Sequence, residues 1–483
     1  MKLVVNAAAT TQAEIKAAQL RKLGEPGPRV TAWSKSYPAA DRFTRAFGPA
    51  QYRQALRQRA EGTVVGGAPP LSLAVNFPFR EPLDRGLDHH VTRDFVGLLA
   101  REVELHRLEL GATQAVSQLH LGGGPATVLS DEELSSLMGL LRGAFRIPPG
   151  AALSINVDPG TACPQRLSHL VSLGFNRVSF GVQDFDPAVQ AAVPHLQSYE
   201  SVSDLVAEAR ALRFEAINAD LAIGLPQQTP ESFRRTVTQM AALHPTRITL
   251  HPHVRSQAHS QARSQARSEP LAKAQLPQRH PDLKAVPSAE QCLQMRADAV
   301  AGFTRQGYIY LGMDEFALPT DALAVAKRLG RLRRNFQGYT AQPDGDLIAL
   351  GPSAIGRIGA NFSQNARTLP GYRQALAQGQ FPVVRGLVLS RDDLLRHSVI
   401  VAIMCQGCVE FESIELAHLV KVQDVFAPEL QRLRALETLG LVHVNPQEIQ
   451  VTDQGWFYVH AIAMVFDRHL QPAAARRPIA RVV

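Results

Sequence analysis

The chain of 483 residues is 45% hydrophobic, 19% charged and 6% aromatic, an ordinary globular balance that excludes a disordered, collagen-like or coiled-coil protein and allows two or three domains. Its formal net charge of +8 invites a nucleic-acid partner, but much of the excess is local: Arg255, Arg263, Arg267, Lys273, Arg279 and Lys284 face only Glu269 and Asp282. Four cysteines cannot build a disulfide framework and suit a reducing cytoplasm; the start MKLVVNAAATTQAEIK falls short of a signal peptide, no apolar run reaches membrane-spanning length, and a cytoplasmic, monomeric protein is expected.

In chain order, residues 1–46 read as an arm interrupted by Pro and Gly. From residue 71, short apolar β-rich runs alternate with longer helical patterns: LSLAVNF, VSQLHL, ALSINV, RVSFGV, INADLAI and RITLH. Strands of this kind, each followed by a helix, predict an α/β fold with a parallel sheet forming a whole or partial barrel over 47–340. Helix starts agree. Ser130 with Glu133 and Ser288 with Gln291 make capping boxes, and Thr229-Pro230 is an N-cap followed by Pro at the first helical position. The stretch 255–287 opens with SQAHSQARSQARS and runs on through Pro270, Pro277, Pro281 and Pro287. It reads as a flexible basic linker, and with no recognisable binding motif elsewhere no nucleic-acid role is expected. Residues 341–483 turn mainly helical, in LLRHSVIVAIMCQG, APELQRLRALETLGLV and WFYVHAIAMVFDRHL, and predict a separate C-terminal helical domain.

In parallel sheets the ligand site lies at the carboxyl ends of the strands. There the sequence places Asn76, Arg80, Asp84 and Leu87, then Gly122-Gly123-Gly124-Pro125, Asn156, Gln183, Asp220, and His251 to Arg255. The triple glycine is either a ligand-approach loop or a tight turn, and Asp220 either a ligand carboxylate or a partner of a helix N-terminus. Cys405-Gln-Gly-Cys408 has redox-motif spacing, but it stands alone in a helical region and is read as ordinary thiols. His251 and His253 alternate, so both should point to one face, with His89, His90 and His195 in loops at the same end. Histidines there can ligate a metal, and Arg80, Arg85 and Arg255 can pair with carboxylates.

The segments LHLGGG, VDPG, GFNRVSFGVQDFDPAVQ, ADLAIGLPQQTPESF, LGMDEFALPTDALAVAKR, RNFQGYT and QVTDQG resemble the oxygen-independent coproporphyrinogen III oxidase (dehydrogenase) family of haem biosynthesis, within the radical S-adenosylmethionine superfamily. The resemblance implies a partial (β/α)6 radical-SAM-like barrel, a C-terminal helical domain, and oxidative decarboxylation of two propionates to vinyls. It also implies a cluster loop of three cysteines after the first strand. Those positions are Arg80, Asp84 and Leu87 here, and neither a guanidinium nor a leucine ligates iron.

Other family positions differ as well: Ala74, Asn76, Gly86, Pro125, Asn156 and His195 stand where the family has Tyr, His, Phe, Thr, Glu and Arg. Gly123, Gly124, Gln183, Asp220 and Ile355 are the retained cofactor-binding positions. The resemblance thus implies a member that has lost the [4Fe–4S] cluster and S-adenosylmethionine, with no catalytic residue and no protein metal site to name. Three roles follow from it. The chain binds a porphyrin or haem, or a haem-biosynthesis protein, without radical catalysis; or it remains an active coproporphyrinogen III dehydrogenase; or it is a regulatory interaction module. For a tetrapyrrole the candidates are His251, His253 and His195 for iron and Arg80 and Arg255 for propionates.

Overall fold

The computed structural model describes residues 36–62, 69–79, 89–111, 114–193, 197–253, 286–343 and 345–470. Of the expected site residues, Arg80, Asp84, Leu87, His195 and Arg255 lie outside the described residues, as does nearly all of the stretch 255–287.

Six strands run parallel: β1 (Leu71–Asn76), β2 (Val116–Gly122), β3 (Ala152–Val157), β4 (Arg177–Gln183), β5 (Ala216–Ile223) and β6 (Arg247–Pro252). They coincide with the six apolar runs read from the sequence, and helices return the chain between them. The capping boxes form as expected. Ser130 Oγ accepts from the Glu133 N–H at 3.2 Å, and the Glu133 carboxylate accepts from the Ser130 N–H at 2.8 Å. Ser288 and Gln291 repeat this at 3.1 and 2.8 Å. At the third helix Ser232 closes the box with Thr229.

Beyond the parallel strands the sheet continues on both sides. After β6 come the antiparallel β8 (Glu315–Ala317) and β7 (Ile309–Gly312). Beside β1 lies the parallel β11 (Leu347–Leu350), then the antiparallel β12 (Ile355–Ile358), β13 (Asn361–Asn365) and β14 (Val383–Val388). The whole is an open sheet of 12 strands, in the order β14-β13-β12-β11-β1-β2-β3-β4-β5-β6-β8-β7. Residues 347–388, expected to belong to a helical domain, are therefore a flank of the barrel sheet. The C-terminal unit starts later, at the helix Arg391–Gln406.

That unit buries a second core, separate from the barrel core, and carries a small sheet of β15 (Cys408–Glu410), β17 (Glu448–Val451) and β16 (Val442–Val444). The expected last helix is only a five-residue piece, Val459–Ala463, followed by a 3-10 turn. A hairpin of β9 (Arg333–Asn335) and β10 (Gly338–Thr340) stands off the main sheet. The described end of the arm packs on this half of the molecule: Thr44 bridges to Gly386 on the edge strand, and the buried Tyr37 hydroxyl donates to Asp393 at 3.1 Å. Among the described residues no helix is long and apolar enough to cross a membrane.

Candidate functional site

Strands β1 to β6 alternate more strictly than a strand buried on both faces would. Leu73 and Val75, Leu119 and Leu121, Val178 and Phe180, Ala219 and Leu221, and Ile248 and Leu250 belong to the barrel core, packed under the helices. Between them stand Ser72, Gln118, His120, Ser154, Asn156, Ser179, Asn218, Asp220, Thr249 and His251. Side chains two apart share a face, so this polar set lines the other face, the lumen. The cross-strand hydrogen bonds bear this out. Gln118 donates to Ser72 at 3.2 Å, His120 Nδ1 meets Ser154 Oγ at 2.8 Å, and Thr249 donates to Asn218 at 3.1 Å.

Asp220 is the centre of this lining. It sits within β5 rather than at a helix N-terminus, which removes the second of its two readings. One oxygen accepts from Ser179 Oγ at 2.6 Å; the other accepts from Asn218 Nδ2 at 2.8 Å and meets His251 Nε2 at 3.1 Å. Burial alone would raise the carboxyl, but the His251 contact with the Ser179 and Asn218 donors outweighs it and holds Asp220 below the ordinary carboxylate range. His251 is 56% exposed on its other side. The lumen thus offers a fixed negative charge with an imidazole beside it, open to a ligand.

His253 behaves differently from His251. It follows the strand, and its backbone N–H bonds to Ile223 O at 2.7 Å. A methyl built on Gly224 would lie 3.9 Å from its Cβ and 3.4 Å from the thiol of Cys292 on the helix Ala289–Arg305. His89 and His90 open the helix His89–Leu110 rather than standing in a loop. His120, quoted in LHLGGG but not singled out, lies deeper: burial pushes its imidazole down to about 4, so it is neutral near pH 7.

The glycine loop is packed against its own chain. A methyl on Gly122 would lie 2.1 Å from His120 Nε2, one on Gly123 2.0 Å from Asn76 Oδ1, and one on Gly124 2.0 Å from the Phe79 carbonyl oxygen. Gly123 also has φ +87. Glycine is required at a close approach of one strand exit to another, and the space a side chain would fill is already taken. Of the other retained positions, Gln183 ends β4 at a bulge with φ 64, whereas Ile355 is buried in a small apolar cluster with Phe43, Phe362 and Leu389.

The thiols do not fit an iron–sulfur cluster at the barrel mouth. Cys163 is exposed at the N-cap of the helix Pro164–Ser172, Cys292 is in the first turn of the helix Ala289–Arg305 with its thiol near Gly224 and His253, and Cys405 and Cys408 belong to the C-terminal unit, so among the described residues no three thiols meet at the mouth. Burial pushes Cys405 up to about 12; burial and then the neighbouring Glu448 push Cys408 up to about 11. Protonated thiols of this kind are poor nucleophiles and poor ligands. Among the described residues no three His, Cys, Asp or Glu side chains gather as metal ligands.

What sequence reasoning missed is the polar lining as a whole. Its signal was present as a period-two alternation of Ser, Gln, His, Asn and Thr inside runs that were scanned for apolar content. A second buried polar group, the Glu102 carboxyl, had no such signal, because its partners Gly351, Asn365 and Tyr372 lie about 250 or more positions away in the chain.

Comparison with known proteins places this geometry. Residues 389–458 match the HemN C-terminal domain. The oxygen-independent coproporphyrinogen III oxidases of Salmonella typhimurium and Escherichia coli are each 38% identical over 474 residues, 96% of this chain and 98% of theirs. That of Pseudomonas aeruginosa is 37% identical over 477 residues. The solved structure of the Escherichia coli coproporphyrinogen III oxidase, described as a radical SAM enzyme, superposes with a TM-score of 0.80 at 37% identity, over 90% of this chain and 97% of that one. With this identity sustained along nearly the whole length of both partners, the protein belongs to the oxygen-independent coproporphyrinogen III oxidase family.

Proposed function

We propose that the protein is a degenerate member of its family: it keeps the barrel and binds a porphyrin or haem, or a protein partner in tetrapyrrole metabolism, without radical catalysis. One observation carries this reading. The family's three thiolate positions are Arg80, Asp84 and Leu87, and the four cysteines the chain does possess stand elsewhere. Anaerobic reconstitution with iron and sulfide, followed by their analysis, tests the reading. We expect substoichiometric amounts of both; about four of each per chain, with the visible absorption of a cluster, would overturn it.

The second reading, an active coproporphyrinogen III dehydrogenase, is favoured by the 38% identity over 474 residues. It requires conversion of propionates to vinyls by the reconstituted protein, and the same preparation decides between the two.

For a haem the candidate axial ligands are His251 and His253, and the sequence after β1 and after β6 supplies Arg80 and Arg255 as candidates for propionates. His251 would have to loosen its 3.1 Å contact with Asp220 or bind through Nδ1. Titrating haem should give a saturable Soret shift that the His251→Ala/His253→Ala double variant loses. An identical shift in that variant removes the mouth histidines as ligands.

A further inference from the structure

The lumen is hollow where the polar lining surrounds it. Ser154, Asn156, Ser179, Asn218, Asp220 and Thr249 all keep accessible surface, whereas the apolar residues that alternate with them are buried. Gly181 faces the same space from β4, paired with Asp220, and a methyl built on it meets nothing within 4 Å.

One imidazole in this lining is set up as a ligand and is not yet used as one. Ser154 gives its own proton to the Leu119 carbonyl at 3.3 Å, so toward His120 its oxygen can only accept. The 2.8 Å contact between Ser154 Oγ and His120 Nδ1 therefore puts the ring proton on Nδ1 and leaves Nε2 with a bare lone pair. From Ser154 the ring runs up the strand. Nε2 is its leading atom, 2.1 Å from the place a Gly122 side chain would take, ahead of Cδ2 and Cε1 at 2.9 and 3.0 Å. Gly122 is the last residue of β2, so the missing side chain there lets the lone pair face the carboxyl end of the sheet. His120 is partly exposed, and no described residue bonds to Nε2. His251 stands in the opposite condition, with its Nε2 engaged on Asp220.

The two histidines belong to one space. β2 and β6 flank β3, β4 and β5, so in the curved sheet their lumen sides turn toward each other. Asp220, in contact with His251, also acts through space on His120. Among the described residues no three ligating side chains gather, so a bare metal ion lacks a full ligand set here. Iron in a porphyrin brings its own in-plane nitrogens and needs only axial ligands from the protein.

We propose that His120 Nε2 is the inner axial ligand of a haem held in the lumen, on the face opposite a mouth histidine, so that the iron is six-coordinate. The proposal rests on the haem reading above and adds a ligand which that reading does not contain. An imidazole whose other nitrogen is anchored by a hydrogen bond is the usual form of a metal-bound histidine, its tautomer and ring plane fixed before the metal arrives.

The test titrates ferric haem into the full chain and reads the spin state from the visible and electron paramagnetic resonance spectra. We expect the wild type to give a saturable Soret shift with low-spin bands. His120→Ala should keep a saturable shift through the mouth histidine but turn high-spin, and free imidazole, filling the space the ring leaves, should restore the low-spin spectrum. His120→Gln keeps a hydrogen bond to Ser154 and gives the same readout should the alanine variant not fold. A wild type that is already high-spin, or a low-spin spectrum that these variants leave unchanged, overturns the assignment of His120 while the haem reading stands. No saturable shift in the wild type removes both.

Discussion

Glu102 places a carboxyl in the dry centre of the molecule, 1% exposed, where the helix His89–Leu110 meets the flank of the sheet. Burial pushes it up to about 7, although three donors pull the other way: the Tyr372 hydroxyl, the Gly351 N–H at 2.8 Å and Asn365 Nδ2 at 2.7 Å. One turn on, His106 gives no compensating charge, for burial pushes its imidazole down to about 4 while it bridges the Glu102 carbonyl at 2.8 Å and the Tyr52 hydroxyl at 3.0 Å. A carboxyl whose folded pKa exceeds its unfolded one binds its proton more tightly in the folded state. Its contribution is complete below about pH 4.5 and is lost as pH rises through about 7, and a difference of this size is worth about 3 kcal/mol. Denaturant unfolding at pH 4.5 and pH 7.5 should show the wild type losing about 3 kcal/mol more across that window than Glu102→Gln; equal losses would refute the assignment.

At the scale of single elements, the glycine loop after β2 and the helix Asp131–Ala144 make opposite use of the same residue. A methyl on Gly124 meets a backbone carbonyl oxygen at 2.0 Å, and backbone cannot step aside. A methyl on Gly139, exposed in the helix, meets nothing within 4 Å. Gly124→Ala should therefore cost about 3 kcal/mol or more by overpacking, and Gly139→Ala should add about 0.5–1 kcal/mol by propensity alone. Thermal melts of the two variants check both signs, and a neutral Gly124→Ala would mean the loop is free to move.

The same contrast explains which elements the sequence disclosed. The strands β1 to β6 were readable because each is a run of six to eight residues with a helical pattern after it, and the helices after β2, β5 and β6 open on side-chain caps. The flank was not. β13 reads Asn-Phe-Ser-Gln-Asn, and Ser363, Gln364 and Asn365 are buried at 3–4% exposure. A polar strand is stable there only because distant partners satisfy it, Glu102 for Asn365 and Arg385 for Gln364. No local pattern announces such partners. The site divided likewise. Asp220 and His251 were found from their place on the strands, but Ser179, which holds Asp220 from the neighbouring strand, stands out only once the two strands are paired.

For the whole molecule, the question is whether two cores make two independent units. The second core is not confined to the C-terminal unit. Leu311, Met313, Leu323 and Leu332, on and after the last strands of the barrel sheet, are all within it at 0–4% exposure. Arg296, on a barrel helix, pairs with Asp314, donates to the Phe457 carbonyl at 2.9 Å and stacks on the Phe457 ring at 4.2 Å. The Tyr339 hydroxyl of the hairpin donates to the Met404 carbonyl at 2.7 Å. Removing residues 389–483 would bare those four apolar side chains, each worth about 1.5–3 kcal/mol when buried, a sum comparable to a domain's whole net stability of about 5–15 kcal/mol. The full chain should accordingly unfold in one transition, with loss of aromatic circular dichroism and exposure of the Cys405 thiol coinciding, while the fragment 1–388 should aggregate or bind hydrophobic dyes. A fragment that stays monomeric with an unchanged melting temperature would show that the barrel stands alone and that the shared core is only a contact between finished domains.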